Sequence, residues 1–164
     1  MDISPIQLAK QELRQQMLAR KSQLTSLQVR GTSDCITHRI IQSFNWHNAT
    51  SVHIYRSVES WREVDTSRLI TTLKSDHPHL LVDIAGTAPN QPNPIRQHDY
   101  IIVPVVAFDM QHNRLGMGAG WYDIFLATQS KAITIGLAYG WSKQPLIPHE
   151  PHDIKLRRTI YDQT

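Results

Sequence analysis

Residues 99–123 read DYIIVPVVAFDMQHNRLGMGAGWYD. Within them, Tyr100 to Val106 (YIIVPVV) is the most apolar run of the chain, bounded on both sides by polar segments. A strand with one wet face alternates apolar and polar residues, whereas a near-continuous apolar run suits a strand buried on both faces. Working outward, Ala132 to Ala138 (AITIGLA) has the same character. Ser51 to Tyr55 (SVHIY) and His79 to Ile84 (HLLVDI) read as two earlier strands, and a last short strand is expected near Leu156 to Tyr161. Helices fall between them. Asp65 is expected to cap one running through Leu69, Ile70 and Leu73, and Gly120 to Thr128 reads as another. At the N-terminus, Ser4 caps a helix with Pro5 in its first turn and Gln7 completing a capping box. Thr25 and Gln28 repeat that box for a second helix, with Ile36, Ile40, Ile41 and Phe44 on its apolar face and Gly31 weakening its start. On the first helix Leu13 and Met17 lie one turn apart, and Lys10 and Arg14 form a second stripe at the same spacing. GTAPNQPNP at 86–94, with three prolines, is a loop by composition. Strands alternating with helices predict an α/β fold, a three-layer α/β/α arrangement with a mostly parallel central sheet, in a single domain over residues 1–164.

The bulk properties narrow the class. The chain has 164 residues, 40% hydrophobic and 19% charged, as an ordinary globular protein does. No apolar run approaches the roughly 20 residues that span a bilayer. The N-terminus carries Asp2 and no basic segment leading into an apolar stretch, so no secretory signal is expected. Cys35 is the one cysteine, which excludes an intrachain disulfide and fits a reducing, cytoplasmic setting. On composition it is expected to be buried on a helix as a small hydrophobe. The net charge of +3 and pI of about 9.2 suit an anionic small ligand. Lys and Arg are spread along the chain, densest at Lys155, Arg157 and Arg158, without the interleaved aromatics of a nucleic-acid surface. Trp46, Trp61 and Trp141 are expected to be packing residues.

The strongest local pattern is Arg114-Leu-Gly116-Met-Gly118-Ala-Gly120-Trp121-Tyr122-Asp123, after a buried strand and before a helix. Glycines at alternate positions let backbone N–H groups approach a bound anion, and the following helix start adds partial positive charge. Arg114 can neutralise phosphate oxygens and Asp123 can hold magnesium. The spacing is neither the dinucleotide fingerprint nor the P-loop. A tight turn needing positive φ would use glycine equally well. Lys10 and Arg14 read either as a solvated basic stripe or as a pair of cations reaching a polyphosphate. Glu63 precedes a helix cap at the strand edge where ligands of α/β sheets collect. His149-Glu-Pro-His-Asp153 is metal-capable, but Pro151 denies it the helical face of a zinc motif.

Taken together and in order, five pieces resemble the 5-formyltetrahydrofolate cyclo-ligase family. They are KQELR (10–14), REVDT (62–66), the 99–123 stretch, IGLAY (135–139) and the His152-Asp153 pair. The resemblance implies an ATP- and Mg2+-dependent ring closure of 5-formyltetrahydrofolate to 5,10-methenyltetrahydrofolate, with ADP and phosphate as products. It implies that Lys10 and Arg14 bind ATP phosphates. Arg114, Gly116, Met117, Gly118, Ala119, Gly120, Trp121 and Tyr122 would form the phosphate cradle. Asp123 and Asp153 would be magnesium ligands, Glu63 would hydrogen-bond the pterin, and Tyr55 would line the pocket. Tyr122 would lie by the reacting formyl group and, with Arg114, serve catalysis. The partners implied are a reduced folate and ATP, with no nucleic acid or membrane, and a monomeric protein. The chain departs from the family pattern at several points. The segment between Ile84 and Asp99 is short, AGTAPNQPNPIRQH, and lacks the family's Gly-Ile-x-Glu-Pro element. Asp83 and Ile84 replace a proline and a polar residue, and Met117, Ala119 and Trp121 replace residues frequent in the motif. A second reading therefore stays open: a paralogue that binds nucleotide or another partner without folate turnover.

Overall fold

The structure is a computed structural model that describes residues 3–85 and 96–163. The loop expected at 86–94 lies outside the described residues. Ser4 Oγ accepts the Gln7 N–H at 3.1 Å and opens α1 (Pro5–Ser22). The Gln7 side chain does not close the expected box; its amide points instead toward Glu150 Oε1, 3.4 Å away. Thr25 and Gln28 do form both arms of a capping box, starting α2 (Ser26–Ser43). β1 (Ser51–Ile54), α3 (Ser67–Asp76), β2 (Leu81–Ile84) and β3 (Tyr100–Pro104) follow. Then come a short hairpin of β4 (Ala107–Phe108) and β5 (Arg114–Leu115), α4 (Trp121–Ala127), β6 (Ile133–Ala138) and β7 (Arg158–Tyr161).

Five strands form one sheet in the order β2-β1-β3-β6-β7, every neighbouring pair parallel. Side chains alternate across it. Val52, Ile54, Tyr100, Ile102, Ile135 and Leu137 pack with Ile36 and Ile40 of α2 and Leu69 and Leu73 of α3. Ile101, Val103 and Ala138 face the other way, onto Leu126 of α4 and Phe108 of the hairpin. This is why the 100–104 run is apolar throughout: it is core on both faces. The second layer is thin, a seven-residue helix and the hairpin. α1 stands on the hairpin, with Leu13 and Met17 against Ala107, Leu115 and Ile147. The chain leaves β1 for β2 on one side and returns to β3 on the other. The connections diverge there, opening a crevice above the carboxyl ends of β1 and β3.

Three local expectations are corrected. Cys35 is exposed, because it sits beside Ile36 on α2 but off the face that Ile36 and Ile40 bury. Thr66, not Asp65, occupies the cap of α3; Asp65 accepts from the Ser67 N–H at 2.9 Å and so braces that turn from one residue earlier. Trp61 is half exposed, whereas Trp46 is buried with its indole N–H donated to Ile40 O. The β4–β5 hairpin has no alternating pattern to betray it. It is made by Asp109, which is 1% exposed and accepts from Gln111 N, Asn113 N, Asn113 Nδ2 and Ile147 N. His112 completes the turn at φ 67°.

Candidate active site

A cleft of about 490 Å³ opens over the crevice. Gln7, Lys10, Gln11 and Arg14 of α1 form one wall. Arg114 of β5, the 116–120 turn, and Trp121, Tyr122 and Asp123 of α4 form the opposite one. Glu150, His152 and Asp153 line one part of it, together with Glu63, from the loop between β1 and α3, and Pro104, the last residue of β3.

Arg14 Nε donates to Gly116 O at 2.8 Å, locking α1 to the glycine turn. Gly118 has φ +102° and Gly120 φ +69°, so the positive-φ reading of the pattern holds at those two. A Cβ at Gly118 would also stand 3.2 Å from the Arg14 guanidinium carbon. Ala119 keeps an ordinary backbone, which is why alanine is accommodated there. The turn thus needs its glycines and also lines the cleft, and the two readings of the motif coexist.

Lys10 Nζ lies between Glu150 Oε2, at 3.0 Å, and the carboxylate of Asp153. Arg114 Nη2 pairs with Asp123 Oδ1 at 2.9 Å, and the Ile154 N–H donates to the same oxygen. Burial works to raise the Asp153 pKa, but the hydrogen bonds from Lys10 and the Glu150 N–H outweigh it and leave it below the usual carboxylate value. For Lys10 burial works downward, and the two carboxylates together win, so its pKa is raised. Glu63 is buried, which pushes its carboxyl up, opposed by the Val58 N–H and by Lys21. Tyr122 is also driven up by burial and stays a neutral phenol.

Of the sequence-predicted residues, Lys10, Arg14, Glu63, Arg114, Gly116 to Asp123 and Asp153 all line the one cleft. Tyr55 does not. It is fully buried, with its hydroxyl donated to Val64 O at 2.7 Å, and it borders a small pocket of about 10 Å³ behind Glu63. Asp153 forms a donor cluster with Glu150 and His152, their ligand atoms within 4.8 Å of one another; Asp123 is not in that group. The hydrogen bonds of the two aspartates use Asp123 Oδ1 and Asp153 Oδ2, which leaves a second oxygen on each. Hard carboxylate donors of that kind fit magnesium.

Two participants went unread in the sequence. The sequence marks Glu150 as metal-capable, and the structure makes it a partner of Lys10. Lys21 is buried behind Glu63, with its pKa lowered by that burial. Its signal was available: Lys21 follows Lys10 by eleven residues, three turns on, and so lies on the same helical stripe.

A parallel sheet with a polar cleft at the divergence of its central strands, walled by cations and carboxylates, defines an α/β protein with a site at the usual ligand position of such sheets. The described residues include no helix long and apolar enough to cross a membrane. The model of the 5-formyltetrahydrofolate cyclo-ligase family matches residues 6–85 and 83–162. The chain belongs to that family. It is 27% identical to the 5-formyltetrahydrofolate cyclo-ligase of Haemophilus influenzae over 178 residues, covering 90% of this chain and 94% of that one. The Escherichia coli cyclo-ligase is 38% identical over 69 residues, which span 41% of this chain and 38% of that protein. Among solved structures, the 5,10-methenyltetrahydrofolate synthetase of Mycoplasma pneumoniae superposes with a TM-score of 0.76 at 21% identity, covering 92% of this chain and 97% of that one. The Aquifex aeolicus synthetase gives 0.74 at 23%, covering 93% and 89%. These likenesses bear out the α/β fold with its parallel central sheet.

Proposed function

We propose that the protein is a 5-formyltetrahydrofolate cyclo-ligase, acting as one domain and as a monomer, that uses ATP to close 5-formyltetrahydrofolate to the 5,10-methenyl form. The observation that carries this is the convergence of Lys10, Arg14, Glu63, Arg114, Asp123 and Asp153 on a single cleft, from segments up to 143 residues apart.

A formamide oxygen is a poor leaving group until it is phosphorylated. In the reaction proposed, the formyl oxygen attacks the γ-phosphate of ATP and ADP leaves, giving an iminium phosphate. N10 of the folate then attacks that carbon, and phosphate departs as the ring closes. Catalysis of this kind rests on positioning and charge stabilisation. Lys10, Arg14 and Arg114 would hold the phosphates, beside the Gly116–Gly120 turn that lines the cleft. Asp123 and Asp153 would hold magnesium, which supplies charge neutralisation on the triphosphate. The buried Glu63 would take the polar edge of the pterin, and Tyr122 would sit against the formyl group as a neutral phenol. The buried Lys21 would balance the charge of Glu63 from behind.

The alternative, nucleotide binding without folate turnover, is favoured by the shortness of the segment between Ile84 and Asp99. One assay separates them. The protein is mixed with 5-formyltetrahydrofolate, ATP and magnesium, and methenyl product is followed by absorbance. Product formation that needs all three components is expected. ATP binding with no product would transfer the assignment to the paralogue.

A further inference from the structure

We propose that His53, Asp83 and His98 form a binding site for a zinc-class divalent transition cation, separate from the cleft. None of the three lines the cleft. His53 is in β1, Asp83 is its register partner on β2, and His98 lies two residues before β3, so three neighbouring strands bring them together. Their ligand atoms all lie within 4.8 Å of one another. Asp83 Oδ2 stands 3.1 Å from His98 Nε2 and 3.7 Å from His53 Nδ1. A tetrahedral site with bonds near 2.0–2.1 Å separates its ligand atoms by about 3.3 Å, and the two spacings to Asp83 bracket that value within about 0.4 Å.

The hydrogen bonding around the group points to a missing positive charge. Gln129 Oε1 accepts the His98 backbone N–H at 3.1 Å, while Gln129 Nε2 donates to Arg96 O at 2.9 Å. Those two bonds fix which way the amide faces. His98 Nδ1, 3.3 Å from the same Oε1, must then carry the proton and donate. That leaves Nε2 with a lone pair aimed at a carboxylate oxygen, two acceptors facing each other. His53 is 1% exposed, and among the described residues neither of its ring nitrogens has a hydrogen-bond partner. A cation coordinated by His53 Nδ1, His98 Nε2 and Asp83 Oδ2 satisfies those three atoms at once and leaves His53 Nε2 against the aromatic rings that cover it. Gln129 then serves as the outer partner that orients a metal-bound histidine. Two imidazoles and one carboxylate suit zinc, cobalt or nickel better than magnesium. Phe125 and Trp121 cover the His53 ring, with centroids at 4.7 and 6.1 Å, and the 27% exposed side chain of Asp83 gives access from solvent. The competing account is an extra proton on His98, making an ordinary ion pair with Asp83 and leaving His53 as packing.

Chelator-stripped full-length protein, kept in excess Mg2+ to occupy the cleft carboxylates, is titrated with Zn2+ by calorimetry and with Co2+ by visible absorption. One equivalent of tight Zn2+ binding is expected, with Co2+ d–d bands of tetrahedral intensity. Asp83→Asn and His98→Ala, confirmed folded by circular dichroism, should each weaken Zn2+ more than about 100-fold, beyond the 10–100-fold typical of outer-shell changes. Zn2+ should also raise the melting temperature of the parent protein and not that of Asp83→Asn. Two results would overturn the site: absence of the Co2+ bands, or Zn2+ binding that survives Asp83→Asn and is lost instead in Glu150→Gln. Both readouts are independent of folate turnover, so they test this site whether or not the cyclo-ligase reading stands.

Discussion

Lys10 is the side chain on which the cleft turns. It is held between Glu150 and Asp153, two carboxylates that would otherwise repel each other. An incoming triphosphate would compete with them for the same ammonium. Charged hydrogen bonds are worth about 1.5–3 kcal/mol, so Lys10→Ala should weaken ATP binding by about tenfold or more. Calorimetric titration with ATP and magnesium measures this directly. An unchanged affinity would remove α1 from the nucleotide site. Arg14 has a different task, since its Nε is already spent on Gly116 O. It shapes the turn as well as offering its remaining donors. Helical spacing alone puts Lys10 and Arg14 on one stripe, which a solvated face would explain equally well; that Lys10 meets two acids from the far end of the chain it does not show.

Among the elements, the β4–β5 hairpin decides where the glycine turn sits. Asp109 ties Gln111, Asn113 and Ile147 together through four hydrogen bonds to one buried carboxylate. Asp109→Ala would strand those donors and should destabilise the protein by about 3 kcal/mol. A pH dependence follows. Burial alone would raise the Asp109 pKa, but the bonds from Asn113, Ile147 and Gln111 outweigh it and hold it below the usual value. A depressed folded pKa gives stabilisation that is fully present above the unfolded aspartate value of about 3.9 and is lost as pH falls through the folded value. Thermal melts from pH 7 to pH 3 should therefore show the gap between the parent protein and Asp109→Asn narrowing below about pH 4. A gap that stays constant would mean the carboxylate charge contributes nothing. The hairpin left little trace in the sequence because two-residue strands have no period to read, and its turn depends on one buried aspartate.

For the whole molecule, the parallel order β2-β1-β3-β6-β7 sets the crevice, and α1 lying on the hairpin turns that crevice into a cleft. Because the cleft joins α1 to segments more than a hundred residues away, a ligand bound there stabilises the global fold. Mg-ATP at about 100 times its Kd should add about 2.7 kcal/mol, a rise of roughly 5–10 °C in melting temperature for a chain of this size. Scanning fluorimetry with and without magnesium tests this. No shift at saturating nucleotide would place ATP elsewhere or nowhere.

Patterns of short range lay open in the amino-acid order: the doubly buried strands that become β3 and β6, the caps at Ser4 and Thr25, and the positive-φ glycines of the 116–120 turn. Each depends on neighbours within one turn or one strand, where period and backbone sterics act. Other features appeared only on folding: the Lys10–Asp153 contact and the meeting of His53, Asp83 and His98. They depend on which distant faces come together, and that choice is made by the packing of the whole core, which no local spacing encodes.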